Sequence, residues 1–105
     1  MGEMVIAAYK PKPGRAADLL ALARDHAPYL RSLGLVSDRP AVIMAAKDGT
    51  ILEVFEWLDG AVERAHEMPA IHELWAQYSE VCDYTPLNTL PETANLFAMF
   101  TPIDG

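Results

Sequence analysis

The chain has one cysteine, Cys82, and no long uninterrupted apolar run. A lone cysteine excludes an intrachain disulfide, and its neighbours Val81 and Tyr84 favour a small buried side chain over a reactive thiol. No stretch approaches the roughly 20 apolar residues that a membrane-spanning helix needs. The residues at 1–3 lack the basic region of a secretory signal peptide. We therefore expect no membrane association and a reducing, cytoplasmic location.

Positive charge is also scarce. Eight Lys and Arg residues stand against fifteen Asp and Glu residues, which gives a net charge of -7 at pH 7. Such a chain repels phosphate backbones, so nucleic acid is not an expected partner. The 105 residues are 51% hydrophobic and 22% charged, which is typical of a globular protein with room for one core. A single domain over residues 1–105 is expected.

The apolar pattern predicts a strand and then a helix in the first third of the chain. Met4–Tyr9 is a continuous apolar run that reads as a buried strand, and the turn at Lys10–Gly14 ends it with two prolines and a glycine. Over Arg15–Leu33 the apolar residues recur every three or four positions, which indicates an amphipathic helix. Pro28 lies inside this helix and is expected to kink or break it near His26.

The remaining sequence predicts three further strands and a second helix. Pro40–Ala46 and Ile51–Leu58 are joined by an Asp-Gly turn, which is a strong hairpin signal. A helical apolar stripe then covers Val62–Val81, and Pro69 is expected to divide it into two pieces. An irregular crossover with two prolines follows, and Leu96–Thr101 reads as the final strand.

The predicted order of elements indicates the fold class and a partner. Strand, helix, strand, strand, helix, strand is the ferredoxin-like β-α-β-β-α-β arrangement, an α+β fold in which both helices cover one face of a four-stranded antiparallel sheet. In Met4–Tyr9, Ala41–Ala46 and Leu96–Phe100 both alternating sets of side chains are apolar, so the second face also needs cover. A second copy of the chain is the simplest cover, and a homodimer is expected.

Several local features accompany this pattern. They are the Lys10–Gly14 turn, Asp48-Gly49 at the hairpin, Glu53–Trp57 on the third strand, and Ala65-His66, Pro69 and Leu74-Trp75 on the second helix. With them the chain resembles the dimeric α+β barrel superfamily, in particular its antibiotic-biosynthesis-monooxygenase branch, in which two such sheets stack face to face. Known members include cofactor-independent oxygenases of anthrones and quinols, haem-degrading enzymes, isomerases and proteins with no assigned activity. Fold alone does not choose among them.

The resemblance carries over to two positions of the third strand. Haem-degrading relatives have an asparagine on the first strand, and residues 4–9 contain none, so haem degradation is not favoured. Anthrone-type relatives have an amide and a tryptophan on the third strand. Trp57 resembles that tryptophan, and Glu53 stands four residues earlier where the amide would be. The resemblance thus implies catalytic roles for both residues and no cofactor.

The titratable candidates are a histidine and a glutamate. His66 lies close to the expected break in the second helix, where a pocket could open, and is a candidate general base; the alternative is a polar residue hydrogen-bonded at a helix break. Glu53 and Glu56 are the only charges on an apolar strand, and alternation sends them to opposite faces, so one should point inward and could act as a base. The alternative is that one pairs with Arg39 or Arg64 and the other reaches solvent.

Four aromatic residues and a second histidine are candidates for substrate binding. Trp57, Trp75, Tyr78 and Tyr9 could line an aromatic pocket for a flat ligand, although core packing explains them nearly as well. His26 lies in the apolar register of the first helix and could face the same pocket; a hydrogen-bonded core histidine is the alternative. No metal is expected, because the histidine spacing does not match a helical i, i+4 ligand pair.

The leading hypothesis is a cofactor-independent, monooxygenase-like enzyme acting on a small, flat, apolar or phenolic substrate. A base removes a proton, and the electron-rich carbanion reacts with oxygen. Two alternatives stay open. The same pocket would serve a cofactor-free isomerase or cyclase, or the protein is a dimeric small-molecule-binding or stress-related module without catalysis.

Overall fold

The polypeptide forms one antiparallel sheet with helices on it. The computed structural model describes residues 2–103. Its elements are β1 Glu3–Pro11, α1 Ala16–Ser32, β2 Val42–Ala45, β3 Ile51–Trp57, α2 Ala61–His66, α3 Pro69–Val81, β4 Cys82–Thr85 and β5 Thr101–Pro102, with short 3-10 helices at Leu87–Thr89 and Pro91–Ala94. The strand order is β4-β1-β3-β2-β5, and every neighbouring pair is antiparallel. The predicted α+β class is confirmed. No helix within this range is long and apolar enough to cross a membrane.

The helices cover the sheet face that carries the odd-numbered residues of β1 and β3. Alternate strand side chains point to opposite faces, so Tyr9, Ile51 and Phe55 share one face. On it Tyr9 and Ile51 pack with Leu19 of α1 and Tyr78 of α3, all of them buried. Phe55 anchors a second cluster beneath the helices. This layer forms the main core.

The opposite sheet face is covered over only part of its area. Leu52 is fully buried there and packs with Leu90 from the segment after β4. Ile6, Val54 and Val42 pair side by side across β1, β3 and β2. Ile6 is 48% exposed and Val42 is 50% exposed. The face therefore carries an apolar row that the chain itself leaves open to solvent.

One prediction about the helices is confirmed and another is wrong in part. Pro69 begins α3 and separates it from α2, as predicted. Of the predicted kink or break near His26, the break is absent, because α1 continues through Pro28 to Ser32. Ala27 and Leu30 are buried on either side of this proline, and their packing against the core holds the last turn in helical form although one hydrogen bond is missing.

The final strand differs most from the sequence prediction. The strand that pairs with β1 at the sheet edge is β4, which follows α3 directly. Of the predicted last strand Leu96–Thr101, residues 96–100 do not form a strand, and Leu96 is 92% exposed. Only β5 pairs there, at the edge of β2. The four residues of β4 are too few to display a period of two, and Cys82 is the only one of them that is buried. The more apolar segment Leu96–Thr101 was therefore predicted as the strand instead.

Burial of the helix–sheet layer predicts a difference between two valines. Val81 at the end of α3 is 4% exposed, whereas Val62 on α2 is 42% exposed. We expect Val81→Ala to lower the free energy of unfolding by about 1.5–3 kcal/mol, because it removes buried methyl groups and leaves a cavity. Val62→Ala should stay within about 0.5 kcal/mol of the unaltered protein. Urea denaturation at one fixed protein concentration measures both, and equal losses would contradict this description of the core.

Candidate functional site

The candidate site is a cavity of about 150 Å³ between the sheet and the helices, here called the inner cavity. Its wall contains five residues that the sequence analysis selected: Tyr9, His26, Trp57, Trp75 and Tyr78. Val5, Ala7, Phe55 and Tyr84 complete the lining. The sequence analysis thus predicted five of the residues that line the cavity and missed two of its aromatic residues, Phe55 and Tyr84. Phe55 carried a signal, since it lies two residues from Glu53 and so on the same strand face.

Secondary-structure periods explain how these side chains meet. Phe55 and Trp57 are two residues apart on β3, so both point to the helix face, and their rings touch edge to face with centroids 5.3 Å apart. Trp75 and Tyr78 are three residues apart on α3 and lie on the same side of that helix. His26 comes from α1, and its ring contacts Phe55 and Tyr78 at 5.5 and 5.2 Å. With Tyr9 from β1 and Tyr84 from β4, three strands and two helices build the aromatic wall.

Behind this wall lies a fully buried carboxylate. Glu53 is 0% exposed, and its Oε1 accepts a hydrogen bond from the Tyr9 hydroxyl at 2.9 Å. The same oxygen lies 2.8 Å from Nδ1 of His26. When Glu53 is an ionised carboxylate it only accepts hydrogen bonds, and Nδ1 of His26 is then the atom that carries the proton of this contact. The second oxygen, Oε2, is buried and has no partner among the residues described.

The three tyrosines that line the inner cavity are held as neutral phenols. Burial and then the nearby charge of Glu53 raise the pKa of Tyr9 far above its ordinary value, and the same two causes raise the pKa of Tyr78. Burial also raises the pKa of Tyr84 to about 12. All three hydroxyls are therefore protonated at neutral pH, and that of Tyr9 donates to Glu53. The Tyr78 hydroxyl is buried and has no partner within residues 2–103.

His26 stands between two cavities. It is 6% exposed and lines the inner cavity, and it also lines a cleft of about 380 Å³ between α1 and α3. Asp25 and Glu73 give that outer cleft a pair of carboxyl groups. With Nδ1 bound to Glu53, the other ring nitrogen, Nε2, makes no hydrogen bond to the part of the chain described. His26 thus combines an anchored nitrogen with a free one, which is the arrangement that a general base requires.

His66 lies apart from this constellation. Its side chain is exposed and does not line the inner cavity. Its ring contacts Trp75, with the ring centroids 5.1 Å apart. His72 stacks on the same tryptophan at 5.9 Å. The α2–α3 break at Pro69 thus leaves His66 at the surface.

The two glutamates of β3 point to opposite faces, as predicted. Glu56 bonds Arg39 at 2.9 Å, and hydrogen bonding to Ser37 and then to Arg39 lowers the pKa of its carboxyl. The pairing alternative therefore holds for Glu56. Glu53 does not reach solvent, as that alternative supposed, but bonds a tyrosine and a histidine in the core.

Within residues 2–103, no group of three or more His, Cys, Asp or Glu side chains is arranged to hold a metal ion. Cys82 is buried with its thiol 3.1 Å from the Tyr78 carbonyl oxygen. Burial raises the pKa of this thiol to about 11, so it stays protonated and unreactive at neutral pH.

These shifts predict loss of stability in alkali. The folded-state pKa values of Tyr9, Tyr78, Tyr84 and Cys82 all lie above their ordinary values of 10.0 and 9.0. The folded protein therefore binds these protons more tightly than the unfolded chain does. Their contribution to the free energy of unfolding is complete below the ordinary pKa values and is lost as pH rises from there toward the folded-state values. We expect the free energy of unfolding to fall from about pH 9 upward. Urea titrations at pH 8 and pH 10.5 measure the fall, which should be shallower in Tyr78→Phe; a constant or rising value would contradict the burial of these groups.

Comparison with known proteins adds no relative to this description. No family model, no curated protein and no solved structure matches the chain. The chemistry of the site therefore has to be argued from the Glu53–His26 pair and the aromatic cavity in front of it.

Proposed function

We propose that the protein is a cofactor-independent, monooxygenase-like enzyme that deprotonates a small hydroquinone-type substrate in the inner cavity. The substrate anion then reacts with dioxygen. One observation carries the proposal. A buried carboxylate holds a buried histidine by one ring nitrogen, beside an aromatic cavity. Burying a charge is costly, and apolar residues of similar size would stabilise the core as well as this pair does. The pair is therefore better explained by a chemical role than by core stability.

His26 is the proposed base. Its Nε2 accepts the substrate proton while Nδ1–H stays bonded to Glu53 at 2.8 Å, and the carboxylate stabilises the imidazolium that forms. Glu53 has no exposed surface and is not part of the cavity lining, so it acts through His26 as a positioning residue. Tyr9 fixes the orientation of the carboxylate through its own hydrogen bond. This gives His26 the base role that the sequence analysis offered to His66 and Glu53.

The reaction balances without a cofactor. Removing a hydroxyl proton gives a phenolate with carbanion character at a ring carbon, and that carbon bonds one atom of dioxygen. The ring C–H and O–O bonds break, and the second oxygen atom leaves as water, so a hydroquinone and dioxygen give a hydroxyquinone and water. The aromatic side chains, Trp57 among them, hold the ring by edge and face contacts.

An isomerase or cyclase is a second candidate, and one feature favours it. His26 is 6% exposed, so a proton taken from one substrate atom is shielded from water and can return to another atom of the same molecule. This reaction needs no oxygen. Product formed in anaerobic buffer would select it, and a ligand recovered unchanged would leave the non-catalytic binding role.

We also propose that the chain is a ferredoxin-like domain that works as a homodimer of the dimeric α+β barrel type. In support, β4-β1-β3-β2 is the strand order of that fold, with β5 as an addition at the edge. The apolar row Ile6–Val54–Val42 lies on the face without helices. Two such faces stacked on each other would remove this row from water in both copies.

The catalytic proposal predicts a specific loss of oxygen uptake. With a panel of hydroquinones and anthrones, we expect saturable uptake by the unaltered protein. His26→Gln should lower it by about 10²-fold or more, the usual contribution of a general base, since glutamine can still donate to Glu53 but cannot take the proton. His72→Gln is the matched control and should retain full uptake, because His72 is exposed and lines neither cavity.

Two results would contradict this assignment. Undiminished uptake in His26→Gln, with His66→Gln inactive, would return the base role to His66. Absence of uptake from folded protein with every substrate of the panel would remove the oxygenase proposal.

The dimer proposal predicts the effect of charge on the open sheet face. Light scattering of the unaltered protein should give twice the mass of one chain. Ile6→Lys combined with Val42→Lys places two ammonium groups in the proposed interface and should give a monomer, because unpaired buried charge is costly. Val62→Lys on α2, where the valine is also exposed, should remain dimeric. A monomeric unaltered protein, or an unchanged mass in the double variant, would contradict the proposal.

A further inference from the structure

On the sheet face without helices, the exposure of side chains rises from one end of the strands to the other. Along β1, Ala8 is 5% exposed, Ile6 is 48% exposed and Met4 is 59% exposed. Val42 pairs at the level of Ile6 through Val54 and is half exposed as well. The end of this face next to the Asp-Gly turn, here called the turn end, is therefore covered. The opposite end, which carries Met4, Ile6 and Val42 and is here called the open end, is bare.

The cover at the turn end comes from the same chain, in the segment after β4. Leu90 and Phe100 of this segment pack there with Leu52. The Glu92 carboxylate accepts a hydrogen bond from the backbone N–H of Lys47 at 2.8 Å, and β5 pairs with the last two residues of β2. The segment is thus fastened to the turn end at both places, and it thickens that end alone.

Between these fastened points, residues 95–99 form an apolar loop in the solvent, here called the arm. Leu96, Phe97 and Met99 of the arm are 92%, 72% and 74% exposed. Exposed apolar patches on soluble proteins usually mark a surface that another molecule covers. The arm projects at the turn end, so it does not cover the open end of its own chain. Each chain therefore presents an apolar arm at one end of the face and a bare apolar surface at the other.

We propose that two copies stack through these faces with their strands antiparallel, so that the arm of each copy packs on the open end of the other. This inference rests on the proposed homodimer and names the segment that completes its interface. A two-fold axis across the strands produces the arrangement and makes the contact twice. If the two turn ends met instead, their added thickness would hold the sheets apart and leave both open ends in water. The antiparallel stack removes arm and open end from water together.

Cross-linking between two cysteine variants tests which parts of the two copies meet. Phe97→Cys marks the arm and Val42→Cys marks the open end; both positions are exposed, and the native Cys82 is buried. One variant carries a mass tag, and the two are mixed, allowed to exchange subunits and treated with a short bismaleimide. We expect a product of one tagged and one untagged chain, and much less product from Phe97→Cys alone. Val62→Cys on α2 is the matched control for Val42→Cys and should give no product with Phe97→Cys.

Light scattering of the same mixture separates failure of the homodimer from failure of this inference. A monomeric mixture would remove both. A dimeric mixture that does not link the arm to the open end, or that links arm to arm more strongly, would overturn this inference and leave the homodimer in place.

Removing the apolar side chains of the arm should weaken the dimer. We expect Leu96→Ser combined with Phe97→Ser to raise the dissociation constant of the dimer about tenfold or more, because two large apolar side chains lose a buried position. Sedimentation over a dilution series measures the constant. Val62→Ser, at an exposed position on α2, should leave it unchanged. An unchanged constant in the double variant would contradict the inference.

Discussion

A carboxylate without contact with water is the constraint around which this protein is arranged. An isolated buried charge costs many kilocalories per mole, and hydrogen bonds from donors fixed in place are what make it tolerable. Glu53 obtains them from Tyr9 on β1 and His26 on α1. A strand, its neighbour and a helix are therefore tied together at one oxygen atom. The same bonds that stabilise the charge also fix the orientation of the imidazole, so fold and site depend on one interaction.

The aromatic shell follows from that arrangement. Tyr78 and Phe55 contact the His26 ring edge-on, which keeps water from the histidine and strengthens its attraction to Glu53. Their bulk also keeps the neighbouring space apolar. The outer cleft, with Asp25 and Glu73, gives His26 a polar side. In the proposed reaction, His26 would take a proton from a substrate in the apolar inner cavity and pass it to the polar outer cleft.

Local patterns predicted the elements of the site better than the contacts within it. Period-2 alternation sent Glu53 and Glu56 to opposite faces, and period 3.6 put His26 on the buried side of α1, as the structure has them. The bond between Glu53 and His26 joins residues 27 positions apart, and such a pairing depends on how α1 crosses the sheet. His66 was favoured because it neighbours a helix break, but the break at Pro69 lies on the outside of the domain. At β4, four residues were too few for a period to stand out.

The most direct test of the Glu53–His26 interaction is nitrogen-15 NMR of the His26 ring. With Nδ1–H donated to Glu53, the spectrum of the neutral ring should show a protonated Nδ1 with a far-downfield proton and an unprotonated Nε2. Glu53→Gln should remove the downfield proton, because the charged acceptor is gone. A ring protonated at Nε2 alone, or one averaging freely between tautomers, would contradict the account, since His26 would then be neither anchored by Glu53 nor free to act as a base.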